Sequence, residues 1–240
     1  MVDATSLPRL DSDRPRPADP LGSAAAEDPI PVYTTRFSPA ASARYAVTRG
    51  SRTGEGTMTW SPAGDAYVLR FEAPDVGWVQ SSEGSFHAAG LAPRRYLERL
   101  GRGPRATSFE PDAGSVRYSA SGARRALVPG TQDRLGWLAQ LGAVLAADAG
   151  RAMAGQRVSL PVAGVRGDAS RWDFVVRDVE ASSEEAGAPL LHLAREARST
   201  HDVTIDVWLD PAAPALPLRV EWRTPLGGLV LAWRRLPAGP

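Results

Sequence analysis

From residue 41 onward, apolar side chains recur at every second position in short bursts, each closed by Gly, Pro, Asp or Ser. That period is the signature of strands with one dry face. In Tyr67-Val68-Leu69-Arg70-Phe71-Glu72 the two rings and Leu69 share one face, and Arg70 and Glu72 share the other. The pattern predicts strands at Ala43–Thr48, Glu55–Trp60, Ala66–Glu72, Trp78–Ala88, Arg94–Leu100, Ala106–Phe109 and Val116–Ser119. A second series comes later, at Arg157–Val162, Trp172–Val179, Leu190–Arg195, Val203–Leu209, Leu218–Arg223 and Leu229–Arg234. The connections suit hairpins, Ser61–Asp65 among them, and the helices that parallel crossovers would need are missing. About a dozen consecutive strands do not stay flat; they curl, split or close.

One segment breaks the period. Over about residues 131–148 the apolar spacing becomes helical, with Leu135, Leu138, Leu141 and Leu145 in a stripe and Trp137 and Val144 beside it. Thr131 is placed to cap the first turn, and Asp133 stands where the helix dipole favours a negative charge. Gly136, Ala139, Gly142, Ala143, Ala146 and Ala147 cover much of the remainder. A helix apolar nearly all round is buried. The predicted fold is therefore mainly β: a strongly curved antiparallel sheet or barrel with one buried helix. Residues 1–40, rich in Pro and Arg, read as a flexible tail. Residues 41–236 read as one domain, with Glu184–Pro189 as a solvated loop.

Composition changes this picture little. A chain of 240 residues is long enough for its own core. A net charge of +1 argues against a nucleic-acid partner. All 28 basic residues are Arg, which reads as coding bias or as a supply of bidentate anion contacts. The absence of Cys removes disulfides, thiolate catalysis and thiolate metal sites. No apolar run approaches the roughly 20 residues of a membrane-crossing helix. The first ten residues also lack the layout of a secretory signal, so a cytoplasmic location stays open.

Catalytic signatures are missing. His87, His192 and His201 have no metal-ligand spacing, and no Gly-x-Ser-x-Gly elbow or glycine-rich phosphate cradle is present. No catalytic, metal or cofactor residues are assigned. The seven Trp are more informative: Trp60, Trp172, Trp208, Trp222 and Trp233 lie within strand patterns and Trp78 opens one. Core packing explains them, as does the aromatic lining of a lipid, glycan or peptide cleft. Gln132, Asp133 and Arg134 put polar groups at the mouth of the apolar helix. They read either as cap and strand partners or as the polar end of a small-molecule cavity.

Four motifs, in order, resemble the bacterial domain-of-unknown-function family 3108 (DUF3108). They are Ser82–Phe86 leading to Gly90–Tyr96, Gln132–Leu135 before the apolar helix, Val162–Gly164 preceding Trp172–Phe174, and Val207–Pro211 preceding Leu216–Val220. The resemblance spans roughly Ala41 to Arg235. It implies a curved sheet or barrel similar to periplasmic lipoprotein carriers, in an exported or envelope-anchored protein with no established activity. The chain departs from the family pattern in lacking an N-terminal hydrophobic segment; its Pro/Arg-rich start resembles the stretch that family members carry just after such a segment.

The expectation is a non-enzymatic envelope protein with an apolar concavity for a lipid, glycan or other envelope component. Its candidate ligand contacts are Arg94, Gln132, Asp133, Arg134, Trp172 and Trp208. The alternative is an assembly factor that binds a partner through a strand edge or the N-terminal tail; a hydrolase is the third reading.

Overall fold

The computed structural model describes residues 29–100, 103–180, 190–199, 202–210, 216–224 and 226–237. The first strand series is a continuous antiparallel meander: β1 (Ala41–Arg49), β2 (Arg52–Ala63), β3 (Ala66–Ala73), β4 (Trp78–His87), β5 (Gly90–Leu100), β6 (Pro104–Glu110), β7 (Ser115–Tyr118) and β8 (Arg124–Ala126). A two-residue strand, β9 (Gln132–Asp133), then leads into helix α1 (Gly136–Ala147). The second meander is β10 (Arg157–Ala163), β11 (Ala169–Glu180), β12 (Leu190–Arg195), β13 (Thr204–Leu209), β14 (Arg219–Arg223) and β15 (Leu229–Arg235).

The two meanders are sewn into one sheet by β1 and β15, which pair antiparallel from Tyr45↔Arg235 to Arg49↔Leu231. The chain thus starts in mid-sheet, runs outward to the edge at β8, crosses to the opposite edge at β9 and returns through β10 to β15. The fifteen-stranded sheet is not closed by a ladder. Side chains bridge the gap instead. Thr107 Oγ1 donates to Gly164 O at 2.6 Å, Ser82 Oγ to Asp133 Oδ2 at 2.5 Å, and Gln132 Nε2 to Leu91 O at 2.9 Å. The phase read in β3 holds: Tyr67, Leu69 and Phe71 are buried while Val68 is exposed.

Helix α1 fills the curl. Every residue from Gly136 to Leu145 is buried, including Gln140. Trp137 ties the helix to the second meander, stacking on Phe174 at 4.8 Å and touching Trp172 at 5.7 Å and Trp222 at 6.4 Å. Gln140 ties it to the first: its Oε1 accepts from Leu91 N at 2.8 Å and its Nε2 donates to Ala89 O at 2.9 Å. This second tie depends on Gly90, whose φ is +100° and whose added Cβ would lie 2.2 Å from Gln140 Oε1. Gly90→Ala should therefore combine backbone strain with loss of a buried hydrogen-bond pair and cost about 2–4 kcal/mol in chemical denaturation. A loss under about 0.5 kcal/mol, the scale of an ordinary surface substitution, would mean that Gln140 does not anchor the β4–β5 turn.

Three expectations need correcting. The helix starts at Gly136, not Thr131, because the backbone of Gln132 and Asp133 pairs with Val162 and Ala163. Thr131 Oγ1 is spent on Val128 O at 2.6 Å, and the first turn is capped by Asp133 Oδ1, which accepts from Leu135 N and Gly136 N at 2.8 and 2.7 Å. Second, β9 and β10 are parallel, with α1 as their crossover, so the one helix supplies the one parallel pairing among the described residues. Third, the tail does not extend to residue 40. Tyr33 is buried, its hydroxyl accepts from Ser159 N at 2.8 Å, and Arg36 N donates to Ala143 O at 2.9 Å. Phe37 packs between Trp60 and Phe86 at 5.8 and 5.0 Å. Aromatic anchors at 33 and 37 outweigh the extended bias of the prolines beside them. Residues 1–28, the loop at 184–189 and His201 lie outside the described residues.

Candidate functional site

Beside the helix start the curl leaves an open cavity of about 410 Å3. Its apolar wall is Trp78 from β4, Trp172 from β11, Trp222 from β14 and Trp233 from β15. Three of these rings, Trp78, Trp233 and Trp222, run on from one another. Trp233 stacks on Phe71 at 4.4 Å and lies 5.2 Å from Trp78 and 5.0 Å from Trp222, tilted 48° and 58° from those two. Strand alternation places them: Trp222 shares its face with buried Val220, and Trp233 shares its face with buried Leu231.

The polar end comes from five residues. Arg134, just ahead of α1, is ion-paired with Asp168 in the β10–β11 turn, and its guanidinium lies 4.7 Å from the Trp172 ring centroid. Partial burial alone would raise the Asp168 pKa; the Arg134 charge and hydrogen bond outweigh it and hold the carboxyl below its usual value. Gly164 leaves room for the Asp168 carboxylate, since a Cβ there would sit 2.2 Å from Asp168 Oδ2 and push that side chain aside. Arg166 lies exposed in the same turn and also lines the cavity.

Gln80 and Glu98 complete the set. Gln80 Nε2 donates to Tyr96 OH at 2.6 Å, and Tyr96 OH donates to Glu98 Oε2 at 3.0 Å. Burial, reinforced by the Glu98 charge, pushes the Tyr96 pKa well up, so the phenol keeps its proton and its role as donor. The lining residues carry three buried polar atoms with no hydrogen-bond partner: Trp78 Nε1, Trp233 Nε1 and Gln80 Oε1. A buried unpaired donor or acceptor costs about 1–3 kcal/mol, and Gln132 Oε1, Trp137 Nε1, Arg195 Nε and Arg235 Nε elsewhere in the described residues are in the same position.

The six residues expected to contact ligand part company here. Arg134 and Trp172 meet at this cavity. Gln132 and Asp133 are buried and committed to structure: Gln132 Nε2 bonds to the carbonyls of Leu91 and Gly130, and Asp133 caps α1 and accepts from Ser82. Arg94 lines a second cavity of about 380 Å3, walled by Leu91, Phe109, Leu127 and Val128, which shares no lining residue with the first. Trp208 faces the opposite side of the sheet from its core neighbours Val207 and Leu209. It stacks on His192 at 4.5 Å beneath Arg219, while His192 Nε2 meets Asp206 Oδ1 at 2.7 Å. The six candidate contacts left out Trp78, Trp222 and Trp233, although the cleft reading of the strand tryptophans included them, and the sequence reading did not single out Gln80, Glu98, Arg166 or Asp168. Parity with Val220 and Leu231 could have singled out Trp222 and Trp233; nothing local singles out Asp168.

Residues 43–232 match the family model described as "Protein of unknown function (DUF3108)". The chain belongs to this family. The DUF3108 match covers the helix, nearly all of both meanders and every cavity-lining residue except Trp233. Among solved structures, a beta-barrel-like protein of domain of unknown function DUF1849 from Brucella abortus has a similar fold. Its TM-score is 0.54 at 13% identity, over 85% of this chain and 98% of that one. The hypothetical protein CT021 from Chlamydia trachomatis aligns over 85% of this chain and 93% of its own, at 13% identity and a TM-score of 0.28. A search of curated protein sequences returns no match. In this DUF3108 chain no helix among the described residues is long and apolar enough to cross a membrane, and none of those residues form a metal-binding cluster of three or more.

Proposed function

We propose that the chain is a non-enzymatic binding protein of the cell envelope, holding a small ligand in the tryptophan-walled cavity. One observation carries this reading. Four indoles and the charged side chains of Arg134, Arg166, Asp168 and Glu98 border a space of about 410 Å3, inside the usual range of small-molecule pockets. A mostly apolar wall with a few convergent polar groups supplies affinity through contact area and orientation through hydrogen bonds. The envelope setting rests on the family resemblance. The rival reading, capture of a partner at a strand edge, draws less support. The two open edges are strands of three and two residues, and β8 carries Arg124 and Arg125, the kind of charge that discourages pairing.

The test is to incubate the purified protein with a lipid extract and with the low-molecular-mass fraction of a bacterial lysate, then examine it by native mass spectrometry and thermal unfolding. The expected result is a discrete bound mass and a rise in Tm of roughly 3–6 °C at ten times Kd. Both should vanish in Trp222→Ala, whose ring is only half-buried, while the far-ultraviolet circular dichroism stays that of wild type. No bound mass from either extract would remove the binding reading. Fractionation of cells carrying the tagged protein tests the envelope location.

A further inference from the structure

We infer that the second cavity, the one beside Arg94, binds an aliphatic carboxylate, with its chain along the apolar wall and its head group on the Arg94 guanidinium. The site is separate from the tryptophan-walled cavity and does not rest on the reading given for it.

A parting of strands builds this space. The β5–β6 ladder runs from Arg99↔Pro104 to Arg95↔Ser108 and stops there. Beyond it β5 continues along β4 as far as Gly90, while β6 continues along β7 as far as Glu110. Leu91, Ala92 and Pro93 line one bank of the gap, and Phe109 and Pro111 line the other. Residues 127–129 line the remaining side, tied down by Leu127 N, which donates to Gly114 O at 2.9 Å.

The wall is both open and aliphatic. Val128 is 48% exposed, Pro111 and Pro129 are exposed, and Leu127 is half-buried, so a ligand can reach them. Pro93, Pro111 and Pro129 bring no N–H to the lining, and the Thr131 hydroxyl is already spent on Val128 O. Phe109 is the one carbocyclic ring on the lining and is buried, so a flat arene finds no stacking face. At about 380 Å3 the space lies toward the small end of small-molecule pockets, which suits a short or medium chain.

Charge selects the head group. No Asp or Glu lines the cavity; its ionisable side chains are Arg94 and His87, both exposed. Arg94 is the extra residue of a β-bulge, because the ladder pairs Glu83 with Arg95 and Gly84 with Pro93. Among the described residues its guanidinium has no hydrogen bond or ion pair. One permanent cation with a planar fork of donors, beside apolar surface, matches a single carboxylate accepting from it twice. A phosphate dianion calls for more positive charge.

Titration calorimetry on the full chain tests this with butyrate, hexanoate, octanoate and decanoate, against 1-octanol, benzoate and inorganic phosphate. The alkanoates are expected to bind one per chain, tightening about threefold to fourfold per added methylene until the cavity is full. Arg94→Gln and Val128→Asp, both at exposed positions, should each weaken octanoate at least about tenfold with the far-ultraviolet circular dichroism unchanged. Trp222→Ala should leave octanoate binding as it is. Octanol binding as tightly as octanoate would overturn the role of Arg94, and benzoate or phosphate binding in place of the alkanoates would overturn the ligand class. Octanoate binding that survives Arg94→Gln but is lost in Trp222→Ala would move the ligand to the tryptophan-walled cavity. Absence of alkanoate binding would overturn the proposal outright; sedimentation showing a dimer that Val128→Asp dissolves would then assign the apolar wall to a second copy of the chain.

Discussion

Asp133→Asn will make the protein more stable at pH 7.5, by about 2 kcal/mol, and leave it nearly unchanged at pH 4.5. The Asp133 carboxyl is wholly buried, and desolvation raises its pKa from 3.8 to about 6 despite hydrogen bonds from Ser82, Gly136 N and Leu135 N. Between those two values the folded state holds a proton that the unfolded state has released. Stability from this group is therefore present at low pH and falls as pH rises from about 4 to about 6, by about 3 kcal/mol in all. The helix dipole, which favours the charged form near α1, returns up to about 1 kcal/mol of that. Asparagine keeps an acceptor for the two helix amides and turns its own amide toward Ser82 Oγ, which can donate onward to Tyr67 OH, now 3.1 Å away. Asp133→Ala has no such replacement. It should cost about 3–4 kcal/mol at pH 4.5, from a lost cap and unmet buried donors, and clearly less at pH 7.5.

The carboxylates of Asp168, Asp173, Asp202 and Glu221 have the opposite sign. Partial burial raises each, but arginine partners and hydrogen bonds outweigh it and lower them, so their stabilisation is lost as pH falls below about 4. Urea unfolding of wild type and Asp133→Asn from pH 4 to 8 cancels these shared contributions and isolates position 133. Parallel stability curves across that range would show that the Asp133 pKa is not raised in the fold.

The second large effect belongs to Trp137→Ala, expected to cost about 3–5 kcal/mol, a large share of the roughly 5–15 kcal/mol that holds most domains together. Trp137 is fully buried and joins α1 to β11 and β14 through Phe174, Trp172 and Trp222. Its Nε1 has no partner, so truncation breaks no hydrogen bond and the loss is packing alone. The near-ultraviolet circular dichroism should collapse with it, since the ring couples to three other aromatics. Trp137→Phe keeps the stack on Phe174 and should cost about a third as much. A Trp137→Ala variant within about 1 kcal/mol of wild type would mean that the helix is not an integral plug of the sheet.

These residues also mark how far the sequence could be read. The alternation in Tyr67–Glu72 reported the dry face of β3, and the all-round apolar surface of Trp137–Leu145 reported burial, because both depend on each residue's local period against water. The start of α1 was not legible: Thr131 and Asp133 suit a helix cap equally well at two positions, and β9 pairing with β10 decides between them. Trp208 lies away from the tryptophan-walled cavity for a related reason. Counting aromatic residues ignores phase, and its neighbour Val207 already occupied the inner face.

What the chain determined by itself is the inventory: two runs of half-dry strands, one helix apolar nearly all round, and tryptophans placed in strand positions. Tertiary structure alone decided that β1 meets β15 and that Trp78, Arg134, Asp168 and Trp233, spread over more than half the chain, border one space. The physical reason is range. A two-residue period records which side of a strand is dry, whereas the partner across a curled sheet depends on how every intervening strand twists and pairs.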